Sequence, residues 1–444
     1  METVLHIGLD DTDSPERGCT TYIAAVLAEL LEKEANCVFI DYPNLIRLNP
    51  NIPWKTRGNG ALSLHVRCQE RDIEQVKNLV VKTVEQVSDM DGEATEPAVA
   101  FLKGPVPEAL THFSYRAIRD VVPLEDACQV AQRLHVETVL FKGERGLVGC
   151  LAALGEVLKL DHTFELIAYR TPLRYGTPRK IDVESIKRMD KETSPCTFNN
   201  YDYEAGRALI TPHGPDPILY GIRGETPQIL IKAKGLLKVL EPIERWSVFR
   251  TNHGTDMHLQ EVYRLNKIRP HIPVVAQGSV IHGPHVIKGR HVIFTITDGF
   301  AEIDCAAYEP TGGFRNVIKA LALNDLVQVS GGVRPPCRNH PQTINLEKIR
   351  ILKLAPLFRY VNPTCPKCGR RTESAGRSQG YRCTRCKVEI LRKEKDSIPI
   401  PRSVEEKLYV TPPKANRHLT KPLTRYGLEK TNFNPTLLRK WHEP

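Results

Sequence analysis

Two Cys-x-x-Cys pairs near the carboxyl end place the tightest limit on how this chain of 444 residues can fold. Cys365 and Cys368 form the first pair, Cys383 and Cys386 form the second, and fourteen residues separate the two pairs. A loop of that length lets four thiolates converge on one tetrahedral ion, and a site filled by protein ligands is structural rather than catalytic. We therefore predict a zinc ribbon over residues 360–394, with a redox pair or an iron–sulfur site as the alternative.

The other eight of the twelve cysteines stand alone in the sequence, so the chain does not resemble a disulfide scaffold. Its first residues lack the basic segment and cleavage pattern of a secretion signal. No apolar run approaches the ~20 residues that a membrane span needs. We expect a cytoplasmic protein with reduced thiols and no membrane association, and nothing in the sequence indicates an obligate protein partner.

Positive charge is concentrated in the last fifth of the chain. Residues 364–444 hold 19 Lys and Arg against 8 Asp and Glu, whereas the whole chain has a net charge of +10. The remainder of the chain is therefore close to neutral. This asymmetry predicts a polyanion-binding end on a nearly neutral body, with a solvated basic tail as the alternative. We assign residues 395–444 to a basic C-terminal extension.

A second informative motif lies at the amino end, where an acidic turn joins a short apolar stretch to a helix. Val4–Leu9 is predicted as a strand and Tyr22–Glu34 as a helix. The carboxylates and hydroxyls between these elements are the candidate catalytic groups: Asp10, Asp11, Asp13, Thr20 and Thr21. Carboxylates suit magnesium, and the exposed amides of a helix start suit a phosphate. The alternative is a solvated loop whose Asp and Thr residues only cap the helix.

A long loop before a predicted strand carries further candidate groups. In Pro53–Gly60, the cations Lys55 and Arg57 are suited to neutralising nucleotide phosphates, and the glycines permit a close backbone approach. Together with Asn59, these two residues form the predicted nucleotide-binding set, and a plain surface loop is the alternative.

Two other polar motifs favour structural roles. Lys142–Gly149 resembles a glycine-rich phosphate loop, but it is not a Walker motif, and glycine-rich turns before helices are common. Thr251–His258 contains three potential metal ligands, His253, Asp256 and His258. A polar turn is the better interpretation of this second motif.

The order of predicted elements divides the first part of the chain into two units. Residues 1–136 alternate strands and helices, which is typical of an α/β domain. Residues 137–266 are predicted to form a smaller α+β sandwich. Two β-branched or aromatic stretches in this second unit, Ile229–Lys234 and Trp246–Arg250, are predicted strands.

Residues 267–356 have a different character. Five β-branched stretches are predicted strands: Val274–Ile281, Val286–Thr297, Glu302–Ala307, Leu326–Gly332 and Thr343–Leu354. One helix candidate, Phe314–Leu323, falls between the third and fourth strands, which is typical of an OB-fold, with a generic small β-barrel as the alternative. Four aromatic residues are candidates for base stacking, although a place in the core is favoured for them: Phe294, Phe300, Tyr308 and Phe314.

Four motifs taken together resemble the archaeal tRNA-isoleucine 2-agmatinylcytidine synthetase family, also called tRNA(Ile) agmatine ligase. They are Gly8–Ser14 with Cys19–Tyr22, Pro53–Asn59, Tyr220–Glu225 and Phe249–Asn252. The resemblance runs from the first predicted strand through the zinc ribbon. It implies a multidomain α/β and α+β protein with an N-terminal α/β kinase-like domain, a ferredoxin-like domain, an OB-fold β-barrel and a zinc ribbon.

The resemblance also implies an activity. Members of this family use ATP to attach agmatine to carbon 2 of the wobble cytidine in an isoleucine tRNA with a CAU anticodon, which changes codon reading from AUG to AUA. The base is activated by phosphorylation, and the implied cofactors are ATP, magnesium and zinc. By motif match, the phosphorylated threonine of the family falls on Thr20 and its nucleotide-handling carboxylates fall on Asp10–Asp13.

A binding module is the main competing interpretation. A non-catalytic single-stranded nucleic-acid-binding protein would use the barrel and the ribbon, and it would explain the basic end of the chain. It would leave the acidic turn without a role. A different ATP-dependent RNA-modifying enzyme with the same architecture is the third interpretation.

Overall fold

The computed structural model describes residues 1–14, 18–55, 58–93, 95–377, 379–391, 394–431 and 436–444. One predicted site residue, Arg57, lies outside the described residues. The α-helices within these ranges are α1 (Thr20–Lys33), α2 (Ile73–Val87), α3 (Glu108–Arg119), α4 (Leu124–Arg133), α5 (Gly146–Gly155), α6 (Val183–Thr193), α7 (Pro227–Leu236) and α8 (Phe314–Lys319).

The strands of the first 262 residues are β1 (Glu2–Asp10), β2 (Val38–Phe39), β3 (Asn44–Arg47), β4 (Gly60–Gln69), β5 (Ala98–Lys103), β6 (Glu137–Leu140), β7 (Thr163–Arg170), β8 (Thr197–Phe198), β9 (Tyr201–Asp202), β10 (Arg207–Ala208), β11 (Ile218–Gly224), β12 (Ile243–Thr251) and β13 (Gln260–Val262). The later strands are β14 (Pro273–Ile287), β15 (His291–Thr297), β16 (Glu302–Ala307), β17 (Leu326–Arg334), β18 (Thr343–Lys353), β19 (Leu357–Val361), β20 (Glu373–Ser374), β21 (Tyr381–Arg382), β22 (Glu389–Ile390), β23 (Asp396–Ile400), β24 (Leu408–Val410) and β25 (His442–Glu443).

The two N-terminal units share one continuous sheet in the order β6-β5-β1-β4-β3-β12-β7-β11-β8, with β2 beside β4 and β25 beside β12. Parallel pairing of β3 with β12 joins the two halves and places Arg250 opposite Asn44. The predicted limit between the units, after residue 136, comes directly before β6, and β6 pairs with β5 of the first half. The shared sheet holds the acidic turn of the first unit beside the strands of the second.

Helices cover both faces of the first half of this sheet. Successive residues of β5 point to opposite faces, so Val99 joins the core that contains α1, whereas Ala100 joins the core that contains α5. Helix α5 approaches β1 so closely that a Cβ at Gly8 would lie 2.6 Å from the carbonyl oxygen of Cys150. Glycine in the middle of β1 therefore permits the packing that fixes the end of this strand.

The five strands predicted between residues 267 and 356 are β14 to β18, and they form a barrel. They pair in the order β14-β15-β16-β18-β17, and β14 also pairs with β17, which closes the sheet. Helix α8 lies between β16 and β17, where a helix was predicted. Phe294 and Phe314 are buried in the barrel core, whereas Phe300 is 74% exposed.

The C-terminal extension does not form a solvated tail. Strand β25 pairs with β12 of the large sheet, and Trp441 packs its ring against Phe39 and Tyr42 of the first unit. Several basic side chains of the extension pair with carboxylates elsewhere in the fold, as Arg402 does with Asp325 at 2.6 Å. Part of the surplus positive charge is therefore neutralised inside the molecule.

None of the helices in the described part of the chain combines the length and the apolar character that crossing a membrane requires.

Candidate active site

A cleft of about 1070 Å³ opens where β1 ends and α1 begins. Its walls come from both units of the large sheet and from the C-terminal extension. The described residues of the two predicted site sets all line it: Asp10, Asp11, Asp13, Thr20, Thr21, Lys55 and Asn59. Residues that lie up to 49 positions apart in the sequence are thus brought to one space.

The acidic side of the cleft carries carboxyls that repel one another. Desolvation and the neighbouring charge of Asp11 raise the pKa of Asp10 well above its usual range. Burial also raises the pKa of Asp11, although Arg145 opposes this from 3.4 Å and the backbone N–H of Glu96 donates to the Asp11 carboxylate at 3.3 Å. Crowded, desolvated carboxyls favour either a proton or a cation, and oxygen ligands of this kind suit a divalent ion.

The glycine-rich turn Lys142–Gly149 has a packing role at this site. A Cβ at Gly149 would collide with the carboxylate of Asp10, and a Cβ at Gly146 would lie 2.5 Å from the carbonyl oxygen of Glu96. The backbone N–H of Arg145 donates to the Glu96 carboxylate at 2.9 Å. The turn therefore seats α5 directly behind the acidic residues.

Hydroxyl groups at the start of α1 face the acidic side. The Thr12 hydroxyl donates to the Thr20 hydroxyl at 3.0 Å, and the Thr20 oxygen lies 3.5 Å from a carboxylate oxygen of Asp13. Cys19 is the N-cap residue, and the first turn of α1, which the structure describes in full, contains no acidic residue. Asp13 therefore lies next to the first hydroxyl of α1, and the N-cap position of this helix is not held by an acidic residue.

The loop that follows β3 supplies the predicted nucleotide-binding residues. The Lys55 ammonium contacts the carbonyl oxygen of Pro50, and the Asn59 side-chain amide donates to the carbonyl oxygen of Asn49 at 2.7 Å. Burial and the positive charge of Arg417 lower the pKa of Lys55 to about 8. Asn59 adopts a left-handed backbone conformation with φ of 46°. Its hydrogen bond to the Asn49 carbonyl stabilises this conformation of the loop.

Sequence reasoning missed a buried polar cluster on the opposite wall of the cleft. Glu165 of β7 accepts a hydrogen bond from Arg223 at 2.9 Å. Arg47 and His253 each lie 3.6 Å from the second carboxylate oxygen of Glu165. Arg223 above all, with His253 and Arg47, holds the pKa of Glu165 well below its usual range despite burial, and burial lowers the pKa of His253 itself to about 4. A charged residue inside the otherwise apolar strand sequence Thr163–Tyr169 was the available signal.

The polar motif Thr251–His258 is a turn that contacts the barrel. His258 lies 3.1 Å from the carboxylate of Glu347, and Asp256 pairs with Lys348. The residues of this motif do not bring three ligand atoms close enough together to hold a metal ion by themselves, unlike the four paired cysteines. The structure therefore supports the polar-turn interpretation of this motif.

The four paired cysteines lie close together in space, in a part of the sequence far from the acidic turn. The sulfur atoms of Cys365, Cys368, Cys383 and Cys386 all lie within 4.8 Å of one another. The Cys368–Cys383 sulfur separation is 3.6 Å, close to the ~3.8 Å edge of a tetrahedron with zinc–sulfur bonds of about 2.3 Å. Gly369, with φ of 70°, closes the first knuckle through a bond from its N–H to the Cys365 carbonyl at 2.8 Å. The donor set and its spacing fit zinc.

The chain is similar to known proteins over most of its length. Three family models match: the TiaS TCKD domain over residues 6–73, the TiaS FLD domain over residues 144–258 and the TiaS C-terminal zinc ribbon domain over residues 362–404. The isoleucine-tRNA 2-agmatinylcytidine synthetase TiaS of Archaeoglobus fulgidus is 43% identical over 426 residues, which cover 95% of this chain and 98% of that protein.

Solved structures show the same likeness. A crystal structure of TiaS in complex with its isoleucine tRNA and ATP has a TM-score of 0.86 at 41% identity and covers 95% of this chain and 97% of that chain. A TiaS complex with the same tRNA, AMPCPP and agmatine has a TM-score of 0.84 at 39% identity, with the same coverage. Because these relatives extend over nearly the whole chain, from the acidic turn to the cysteine module, the chain belongs to the TiaS family of isoleucine-tRNA 2-agmatinylcytidine synthetases.

Proposed function

We infer that this protein uses ATP to attach agmatine to carbon 2 of the wobble cytidine of an isoleucine tRNA with a CAU anticodon, so that the modified tRNA reads AUA instead of AUG. One observation carries this proposal: an acidic strand end, a helix-start hydroxyl and a basic loop meet in one cleft. The chain is also 41% identical to a TiaS crystallised with its isoleucine tRNA and ATP. Binding of RNA without catalysis would leave this acidic cleft unexplained.

The chemistry follows from the cytidine itself. The oxygen on carbon 2 is a poor leaving group, and transfer of a phosphoryl group from ATP to that oxygen makes it a good one. The amine nitrogen of agmatine then bonds to carbon 2, the carbon–oxygen bond breaks and phosphate leaves, while the nitrogen loses a proton. The target base has to leave the anticodon stack to reach the cleft.

The acidic residues are proposed as the magnesium ligands. Burial, followed by the neighbouring charge of Asp11, raises the pKa of Asp10, and a divalent ion shared by Asp10, Asp11, Asp13 and the ATP phosphates would stabilise the charged carboxylates. Magnesium bound there would neutralise charge on the ATP phosphates. The carboxylates would keep that charge at the strand end, beside the start of α1.

The hydroxyl residues are proposed to handle the phosphoryl group. Thr20 is proposed to accept a phosphoryl group from ATP in a transfer separate from the one that activates the base: the bond to the Thr20 oxygen forms as the bond to the remaining nucleotide breaks. The contacts of Thr20 with Thr12 and Asp13 would fix the direction of its oxygen. Thr21, next on the helix, would assist through its hydroxyl or its amide. Lys55, Arg57 and Asn59 are proposed to bind the nucleotide phosphates.

The architecture is proposed as a kinase-like domain at 1–136, a ferredoxin-like domain at 137–266, an OB-fold at 267–356, a zinc ribbon at 360–394 and a basic extension at 395–444. The closed order β14-β15-β16-β18-β17 with α8 between β16 and β17 supports the OB-fold assignment. Exposed arginines around the cysteines, including Arg370 and Arg385, would contact RNA phosphates.

The decisive experiment is incubation of the protein with ATP, agmatine and total tRNA, followed by mass analysis of the anticodon nucleosides. We expect a cytidine whose mass has increased by agmatine minus water, only when all three substrates are present. A binding module would give no product and no tRNA-dependent ATP hydrolysis. Replacing agmatine with other amines tests whether the protein is instead an ATP-dependent RNA-modifying enzyme that uses a different amine.

A further inference from the structure

The chain returns from the zinc ribbon to the cleft through residues 411–425, which we call the returning segment. Its attachment to the barrel is a hydrogen bond of 2.6 Å from the Thr420 hydroxyl to the Glu347 carboxylate. Its attachment to the second unit is a backbone bond of 2.8 Å from the N–H of Gly254 to the carbonyl of His418. The segment therefore bridges two units immediately beside the cleft.

Arg425 anchors the end of this segment. Its side chain is fully buried, and its guanidinium pairs with Asp161 at 2.9 Å and with Glu225 at 2.5 Å. Leu419, 1% exposed, belongs to the same hydrophobic core as α5. On the other side of position 417, the backbone N–H of Thr411 donates to the carbonyl oxygen of Glu347 at 3.0 Å. Because the segment is held before and after position 417, the place of that residue is set by the fold rather than by a flexible tail.

The returning segment presents Arg417 to the cleft, where it lines the same space as Lys55 and Asp10. The loop that carries Lys55 packs on the segment, because a Cβ at Gly58 would lie 2.9 Å from the His418 ring. Arg417 is also near enough for its charge to lower the pKa of Lys55. Two cations thus line one cavity that also has carboxylates such as Asp10 in its lining.

We propose that Arg417 and Lys55 form an anion subsite of the cleft that receives a phosphate group, so that the far end of the chain supplies a substrate-binding residue. The proposal rests on the proposed function, since it takes the cleft to hold ATP and the target nucleotide. A phosphate offers paired oxygens to the guanidinium fork and charge to the ammonium. It can belong to ATP or to the tRNA backbone.

The direct test compares full-length Arg417→Ala and Arg417→Lys with Arg439→Ala, which removes an exposed charge of the same extension away from the cleft. We measure the KM for ATP at saturating tRNA and agmatine, and the Kd for the isoleucine tRNA. Loss of a charge-assisted contact is expected to weaken one of them by about tenfold or more, with a smaller effect for Lys. A raised ATP KM assigns the phosphate to the nucleotide, and a raised tRNA Kd assigns it to the RNA. Values equal to those of Arg439→Ala would overturn the proposal.

A second readout does not depend on turnover. The acylation rate of Lys55, followed by peptide mass spectrometry against pH, should have its midpoint near 8 in the parent protein and a higher midpoint in Arg417→Ala. Inorganic pyrophosphate should protect Lys55 in the parent and much less in Arg417→Ala. Equal protection in both proteins would count against the subsite. If the parent protein forms agmatine-modified cytidine while Arg417→Ala behaves like the control, this inference alone fails; absence of that product with the parent protein would instead refute the proposed function.

Discussion

Gly149 of α5 lies directly against the carboxylate of Asp10, with no room for a side chain between them. Helix α5 also packs on β1, so one helix both supports the strand and fixes the acidic group at its end. We predict that Gly149→Ala displaces Asp10 and lowers kcat/KM by about tenfold or more, with a stability cost of about 1–3 kcal/mol from overpacking. Steady-state kinetics and chemical denaturation measure the two effects.

The matched control is Gly235→Ala in α7, where no neighbouring atom lies within 4 Å of the added Cβ. Alanine is the better helix former by about 1 kcal/mol, so this variant should keep full activity and equal or higher stability. Parent-like activity of Gly149→Ala would show that the position of Asp10 does not matter for the reaction.

Asp11→Asn separates catalysis from RNA binding. The substitution keeps the size of the side chain but removes a charge proposed to hold magnesium, so phosphoryl transfer should be abolished. The affinity for tRNA should change by less than about twofold, because the ribbon and the barrel are proposed to supply most of the grip. Transfer of labelled phosphate from ATP and filter binding of tRNA are the measurements. A strong loss of tRNA affinity would contradict the assigned roles.

Loss of one thiolate should empty the cysteine site. Cys365→Ser removes a ligand from a closed site whose metal contributes folding energy, so zinc stoichiometry should fall from one to near zero and tRNA binding should weaken. Cys128→Ser is the control, since Cys128 is exposed on α4. Zinc content by elemental analysis and tRNA affinity test the pair. Full zinc retention in Cys365→Ser would refute the ribbon assignment.

The buried pair His6–His65 is expected to make the free energy of unfolding sensitive to acid. The two rings lie 2.7 Å apart between Nδ1 atoms, and burial lowers the pKa of His65 to about 3. The unfolded chain binds a proton at this residue near pH 6.5, whereas the folded chain does not, so the free energy of unfolding should fall as pH drops from about 6.5 towards 3. Carboxyl groups whose pKa is raised in the folded protein, such as Asp10, have the opposite effect: their contribution to the free energy of unfolding increases as the pH falls.

A difference measurement isolates the histidine. Urea unfolding of the parent and of His65→Gln at pH 7 and pH 5 should show a smaller loss of stability in the variant between these two values. Identical losses would mean that His65 is already protonated in the folded protein.

Arg425 should be among the costliest residues of the extension to remove. Arg425→Met removes the buried guanidinium that Asp161 and Glu225 share and leaves them with only Lys421 and Lys430 as cationic partners, with an expected cost of about 3 kcal/mol. Arg439→Met, at an exposed position, should change the unfolding free energy by less than about 0.5 kcal/mol. Similar denaturation midpoints for the two variants would show that the extension is not anchored by this pair.

Local patterns predicted many of the elements but not every one. The predicted helix Tyr22–Glu34 is α1 (Thr20–Lys33), and the predicted strand Trp246–Arg250 lies within β12. The predicted strand Ile229–Lys234 was wrong, because it lies in α7. There, the Thr226 hydroxyl accepts from the N–H of Ile229 at 3.3 Å and Pro227 opens the helix, and these start signals outweigh β-branched propensity.

The cleft was predictable on one side only. Asp10, Asp13 and Thr20 are close in sequence, so a single strand-turn-helix motif brings them together. The opposite wall depends on the parallel pairing of β3 with β12 and on the returning segment, which join residues more than 200 positions apart. Pairing between residues so far apart produces no periodic pattern in the sequence. Glu165 could be detected only as an isolated charged residue in an apolar strand.

The most direct test of the account follows one oxygen atom. An isoleucine tRNA whose wobble cytidine carries ¹⁸O on carbon 2 is incubated with the protein, ATP and agmatine, and both products are analysed by mass spectrometry. If the base oxygen is phosphorylated in the cleft before the amine displaces it, the label leaves with the phosphate and the modified nucleoside has lost it. Agmatine-modified cytidine formed without any labelled phosphate would contradict phosphoryl activation of the base.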